Sequence, residues 1–249
     1  MSKRGTRAAA ILFVLSIVAA PAHAQSSSGT ADADAIPTFG ELFTNTFRDF
    51  RHLPSAGNLE WLAVGGAAAL ATHTADRETS RILSESRPLD TSLEAGAIVG
   101  GTPFELGAAF AAYGIGRAYG NRRVANVGAD LVQAQVMAEA LTIVIKQATR
   151  RARPQGSGYS FPSGHTTAAF ASATVLQQHF GWKIGLPAYV VAAYVGASRI
   201  HDRRHYLSDV AFGAALGAVS GRTVGVGRRH RIALSVVPAN GGAAIVLQK

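Results

Sequence analysis

Three short blocks between residues 146 and 209 gather the side chains of this sequence that could do chemistry on an anion. The first is Lys146, six residues, then Arg153-Pro154; the second is Pro162-Ser163-Gly164-His165; the third is Ser198-Arg199, five residues, His205, three residues and Asp209. Lys146 and Arg153 read either as anion ligands or as a basic helix end that complements the helix dipole. Ser163 is a natural N-cap for a helix over 166–178, and Gly164 lets backbone come close to a ligand. Free N–H groups at that helix start can therefore point at an oxyanion; the plainer alternative is a capped helix with a surface histidine. His205 and Asp209 stand four apart at a helix entry, where the carboxylate can accept a hydrogen bond from one imidazole nitrogen and leave the other unprotonated. A nucleophilic histidine needs this, because the partner fixes the tautomer and stabilises the cation formed on attack. A capping aspartate beside an incidental histidine has the same spacing. His201 and His205 are also four apart, a zinc-binding spacing. No metal site is read there, because Arg199, Arg203 and Arg204 crowd the pair and no glutamate accompanies it. His52, His73, His179 and His230 lack a partner pattern and read as ordinary surface or core residues.

Helices must position these blocks. Apolar, Ala/Gly-rich stretches at 61–72, 95–116, 124–145, 166–178, 184–198 and 210–220 read as helices. None holds 18 uninterrupted apolar residues, since Glu105, Asp130 and Glu139 break the longer ones, so a compact bundle and a set of short membrane spans both fit. Gly213, Gly217 and Gly221 recur every four residues and let another helix approach closely. Upstream, Thr38 and Glu41 form a capping-box signature, and Phe39, Leu42, Phe43, Phe47 and Phe50 share one face of the helix that follows. That face packs on the core or lies on a bilayer; both signs of charge on the opposite face favour the core. After Arg231, the β-prone runs 232–237 and 243–247 flank Pro238-Ala239-Asn240-Gly241-Gly242, a hairpin signal.

With 249 residues, 48% of them hydrophobic and 16% charged, a disordered chain is excluded. Cysteine is absent, which removes disulfides, thiolate metal sites and a cysteine nucleophile. Charge is divided unevenly. Residues 25–145 hold 8 Lys/Arg against 13 Asp/Glu, whereas residues 146–249 hold 13 against 2, so the second half wants an anion. Lys3, Arg4 and Arg7 precede the apolar run 8–20, and Ala22-His23-Ala24 offers a small-x-small cleavage pattern, so residues 1–24 read as a secretory signal. The expected organisation is a signal at 1–24, a flexible linker at 25–37, a helical domain at 38–229 and a C-terminal hairpin at 230–249.

Taken together, the blocks resemble the type 2 phosphatidic acid phosphatase (PAP2) superfamily, which also holds bacterial non-specific acid phosphatases and vanadium haloperoxidases. The pattern K-x6-RP, PSGH and SR-x5-H-x3-D is matched at every fixed position. The resemblance covers Lys146 to about Arg222 by motif, and extends upstream only by the expectation of an all-α, PAP2-type bundle of about six or more helices. It implies that Lys146, Arg153 and Arg199, helped by Ser163 and the Gly164 amide, hold the nonbridging oxygens of a phosphoryl group. It further implies that His205 attacks phosphorus, Asp209 orients it, and His165 protonates the leaving oxygen. Positive side chains then supply the charge neutralisation that phosphoryl transfer demands, so no metal or other cofactor is expected and turnover should survive excess EDTA. A vanadium haloperoxidase uses the same constellation, and a silent anion-binding membrane protein is the alternative outside enzymology. The implied partner is a phosphorylated lipid or small phosphoester at an exported, periplasmic, membrane-associated or membrane-integral site. No nucleic-acid partner is expected, since the basic excess has no interleaved aromatics.

Overall fold

The computed structural model of the chain describes residues 36–224, 233–239 and 242–248. The signal and nearly all of the linker read at 1–37 fall outside the described residues. Helix α1 (Phe39–Phe50) opens with the expected capping box: the Thr38 hydroxyl accepts from the Glu41 amide at 3.3 Å, and the Glu41 carboxylate accepts from the Thr38 amide at 2.6 Å. Its aromatic face does not pack as expected. Leu42 is buried against Tyr113 and Ala129, yet Phe39, Phe43 and Phe47 are 58%, 65% and 74% exposed. Periodicity identified which residues share a face, but the body of the protein covers only one edge of it.

Helix α2 (Ala56–His73) starts under a Ser55 cap whose hydroxyl accepts from the Asn58 amide. Two short helices follow that hydrophobic periodicity did not reveal, α3 (Asp76–Ser84) and α4 (Arg87–Leu93), because their residues are mostly polar or charged. The stretch expected as one helix over 95–116 is broken at Gly100-Gly101 into α5 (Gly96–Val99) and α6 (Thr102–Ala118). Pro103 in the first turn of α6 suits a helix start, where its missing N–H is no loss. Helix α7 (Arg122–Thr149) runs through Asp130 and Glu139 without a break and ends on Arg150, held left-handed at φ 48°. Helices α8 (Gly164–Phe180), α9 (Trp182–His201) and α10 (Leu207–Thr223) complete the helical body.

Small residues set how closely these helices meet. A methyl group at Gly217 of α10 would fall 2.3 Å from the Thr167 carbonyl of α8, so only hydrogen fits there. Gly213 faces Ser163 at the N-cap of that helix and Gly221 faces Ala171 within it, and the spacing of four is thus the α8–α10 contact line. On its other side α8 meets α9 through Ala169, Ala173, Ala188, Ala192 and Val195. Tight seams let three helices converge at the start of α8. Two extended segments, β1 (Ala233–Ala239) and β2 (Gly242–Gln248), run antiparallel with Ala233 opposite Gln248. The turn expected to join them falls at 240–241, outside the described residues.

Candidate active site

Each block sits where a helix starts or stops. Block one lies at the C-terminal end of α7 and in the loop after it, which folds back through an Ala152–Tyr159 bridge and a Ser160 amide bond to the Arg151 carbonyl at 2.7 Å. Lys146 reaches over this loop from the last turn of α7. Its ammonium donates to the carbonyls of Tyr159 (3.2 Å), Ser160 (3.3 Å) and Pro162 (2.6 Å). Three donors are all an ammonium has, so Lys146 pins the loop and offers charge rather than a free hydrogen bond. Arg153 is fixed by donation from Nε to the Tyr159 carbonyl at 3.2 Å.

Block two begins α8. Ser163 occupies the N-cap position with extended backbone, but its hydroxyl is not the cap; it accepts from Thr166 Oγ1 at 2.9 Å. Among the described residues no side chain caps α8, so no cap offsets the positive end of its dipole. The Ser163 amide donates to the Asp209 carbonyl at 3.1 Å, tying block two to block three. His165 bonds to the Ala97 carbonyl and lies within electrostatic range of Arg199, His205 and Arg153.

Block three closes α9 and opens α10. The Arg199 carbonyl accepts both the Arg204 amide (3.1 Å) and the His205 amide (3.2 Å), with Arg203 left-handed at φ 54° between the helices. This tight turn brings His205 back beside the end of α9. Arg199 is buried, bonded to the Ser198 hydroxyl and ion-paired with Asp202.

His205 is 3% exposed, and its Nδ1 lies 2.7 Å from the Ser160 carbonyl. A carbonyl can only accept, so Nδ1 carries the proton and Nε2 keeps its lone pair. The expected tautomer is therefore present, but its holder differs. Asp209 Oδ2 is 3.7 Å from Nδ1, beyond hydrogen-bond reach, and accepts from the Tyr206 amide at 2.8 Å instead. The other Asp209 oxygen takes Arg151 Nη1 at 2.7 Å. Arg151 Nη2 in turn donates to Asp76 Oδ2 at 2.6 Å, and Asp76 also accepts from the amide (2.8 Å) and hydroxyl (2.6 Å) of Ser208.

Sequence reading missed this buried relay. Arg151 lies unmarked in the six-residue spacer of block one, and Asp76 is on a short polar helix far away in sequence. His73, read as ordinary, stands 3.1 Å from Asp76 at the outer edge of the relay. Ser160 acts through its backbone, which no side-chain motif records.

Burial, the largest cause, lowers the affinity of His205 for a proton, and Lys146 and Arg153 add to it, while Asp209 opposes. His165 is pushed down to about 4 by burial first, then by Arg199 and His205. Both imidazoles thus favour the neutral form at pH 7. A neutral His205 is ready to donate electrons; His165 can hold a proton only when an anion arrives to offset the surrounding cations.

Comparison with known proteins matches the PAP2 superfamily model to residues 128–229. Lipid A 1-phosphatase of Porphyromonas gingivalis is 44% identical over 75 residues, 28% of this chain and 17% of that protein. Decaprenylphosphoryl-5-phosphoribose phosphatase of Mycobacterium tuberculosis is 39% identical over 108 residues, 38% of this chain and 59% of that protein. The chain thus spans between about a sixth and three fifths of the length of these relatives. Among solved structures, a transmembrane PAP2 type phosphatidylglycerolphosphate phosphatase from Bacillus subtilis superposes with a TM-score of 0.57. It is 22% identical, covering 67% of this chain and 93% of that one, a likeness of fold.

Proposed function

We propose, from the match of residues 128–229 to the PAP2 superfamily model, that this chain is a metal-independent phosphatase of phosphorylated lipids that works through a phosphohistidine on His205. The observation that carries the reading is the His205 imidazole, proton fixed on Nδ1 by the Ser160 carbonyl and Nε2 free, set among Lys146, Arg153 and Arg199. Cations placed in advance around the reacting group stabilise the charge that spreads over its oxygens, and they need no reorganisation when it does.

In the proposed sequence Nε2 of His205 forms a bond to phosphorus as the bond to the leaving oxygen breaks, and His165 gives that oxygen its proton. Water then attacks phosphorus and passes a proton to His165, the N–P bond breaks, and inorganic phosphate leaves with His205 neutral again. Arg153, Arg199 and the start of α8, with Ser163 and the Gly164 amide, hold the nonbridging oxygens. Lys146 adds charge through the loop it pins. Asp209 acts on the histidine through space and through the backbone of Tyr206.

A lipid substrate is supported by the two named relatives, whose own substrates are lipid phosphates, and by apolar side chains turned outward on several helices. Leu59, Val64 and Leu70 of α2, Phe110 of α6, Ile143 and Val144 of α7, and Leu186 and Val190 of α9 are all exposed. Among the described residues one helix, α7, is long and apolar enough to cross a membrane, although most of it is buried. We place the enzyme at a membrane, exported by the 1–24 leader, with 38–229 as its catalytic domain and the C-terminal segments as an appendage. The test is phosphate release from phosphatidic acid in detergent micelles. Wild-type turnover with His205→Ala reduced to background supports the reading; equal release by both proteins refutes it.

A further inference from the structure

Helix α1 presents a face that the rest of the protein leaves open. Leu42 seats the helix on Tyr113 of α6 and Ala129 of α7, both within about two turns of the α6–α7 connection. The Tyr113 hydroxyl and Arg117 Nη1 donate to the Pro37 carbonyl at 2.6 and 3.1 Å, which fixes the start of α1 against the body. Held this way, α1 turns Phe39, Phe43 and Phe47 outward, and the Phe39 ring stacks 6.3 Å from that of Phe110, itself exposed on α6. The rings therefore continue an apolar surface of the helical body, and a contiguous exposed patch on a firmly seated helix marks a docking face.

What surrounds this face selects its partner. It lies at the end of the bundle away from the candidate site. Arg123, in the first turn of α7, donates to the His179 carbonyl in the last turn of α8 at 3.0 Å, and Asn58 at the start of α2 ties His52 and Leu53 to Thr223 at the end of α10. Exposed Arg48, Arg51, Arg117, Arg122, Arg123 and Lys183 gather at this end, against Glu41 and Glu60 as the exposed acids among the described residues there. On α1 alone both signs of charge occur. The basic excess comes from the ends of α6, α7 and α9, which only folding brings beside it. Tyr119 at the end of α6 and Trp182 at the start of α9 are exposed at the same end. Aromatic rings and basic side chains around an apolar face match a bilayer interface with anionic headgroups. The 17 residues of α8 separate this end from the site by about 25 Å, close to the ~30 Å of a hydrocarbon core.

We infer that the face of α1 carrying Phe39, Phe43 and Phe47 docks into the headgroup layer of an anionic bilayer, with the surrounding basic side chains on the lipid phosphates. This rests on the placement of the enzyme at a membrane and deepens it by naming the contact surface. Helix α1 is then an interfacial helix that anchors the end of the bundle opposite the site.

Because the chain has no cysteine, Phe47→Cys and Thr44→Cys each accept a single nitrobenzoxadiazole label, one on the phenyl face and one on the polar face of the same helix. Both positions are exposed, so neither substitution removes core packing. The full chain is reconstituted into phosphatidylcholine vesicles with and without phosphatidylglycerol, and into vesicles whose lipids carry nitroxide near the headgroup or at the acyl end. With phosphatidylglycerol, iodide should quench the label at 44 about tenfold more than the label at 47, and headgroup nitroxide should quench the label at 47 more than acyl-end nitroxide. Both labels ride on one helix, so the ratio does not depend on which way the protein inserts. A ratio within about twofold of unity overturns the inference. So does a ratio unchanged when phosphatidylglycerol is left out, since the basic side chains then have no lipid partner. A label at 47 shielded from iodide yet unquenched by either nitroxide shows the face covered by protein, a second copy or another segment of this chain, and also overturns it. Protein that fails to float with the vesicles removes the membrane placement itself, which separates that failure from failure of the α1 contact alone.

Discussion

Replacing Arg151 with methionine strips the shared guanidinium from two buried carboxylates. Side chains of Asp76 and Asp209 are 4% and 0% exposed, and Arg151 bridges them at 2.6 and 2.7 Å. Removing one partner of a buried ion pair costs roughly 3–5 kcal/mol, because the remaining charge is left without compensation. Here two carboxylates lose their cation, so the upper half of that range is expected. For a chain of this size each kcal/mol moves Tm by about 2–4 °C, giving a fall of roughly 8–20 °C. Arg151→Lys keeps the charge but cannot span both acids, and should lose roughly 1–3 kcal/mol. The loss should also depend on pH. Burial raises the proton affinity of Asp76, but hydrogen bonds from Ser208 and Arg151 outweigh it and hold the carboxyl below its ordinary range. The stability of the charged Asp76 is therefore present above the ordinary carboxylate range and lost as pH falls through its lowered folded value. Without Arg151 the acid takes its proton at higher pH, so the deficit of Arg151→Met narrows on going from pH 7 towards pH 4. Thermal melts of the three proteins across that window are the assay. A deficit under about 1 kcal/mol at pH 7, or one that is flat with pH, would refute the reasoning.

Three further outcomes follow from the same geometry. His165→Ala should lower kcat by about 10²–10⁴-fold on an alkyl phosphate and far less on an aryl phosphate with a good leaving group, and equal losses would sink the acid assignment. With His165 and His205 both held below the ordinary histidine value, the stability they contribute is complete above about pH 6.5 and declines as pH falls towards about 4 for His165; wild-type Tm that is level from pH 7 to 4 would contradict this. Gly217→Ala should destabilise by roughly 1–3 kcal/mol, since its methyl would meet the Thr167 carbonyl at 2.3 Å, whereas Gly66→Ala in open space on α2 should be neutral or stabilising by up to about 1 kcal/mol; melts in parallel decide the pair.

How much was readable in advance depended on whether the information was local. The Thr38–Glu41 capping box and the Tyr206–Asp209 contact at the start of α10 span a few residues, and side-chain type reports them directly, whereas at α8 it gave the position of the start but not the cap, since the Ser163 hydroxyl turns to Thr166. The glycine period in α10 was legible for the same reason, as a row of missing side chains. Helices α3 and α4 were not, because a short charged helix has no apolar period; what holds α3 in place includes Asp76 against Ser208 of α10. The row Phe39, Phe43, Phe47 shows the opposite limit. Spacing put the rings on one face of α1, but burial depends on what lies opposite.

By itself the sequence determined the chemical inventory: two histidines, three basic side chains, an aspartate and a Ser-Gly helix start, at spacings that place each at a helix end. Tertiary structure decided the partners. It gave the Nδ1 proton of His205 to a backbone carbonyl, turned Asp209 to Arg151, and enlisted Asp76 from a helix distant in the chain. Hydrogen bonds to backbone and between far-separated residues depend on how helices close in space, and closure at the glycine seams is a property of the packed core.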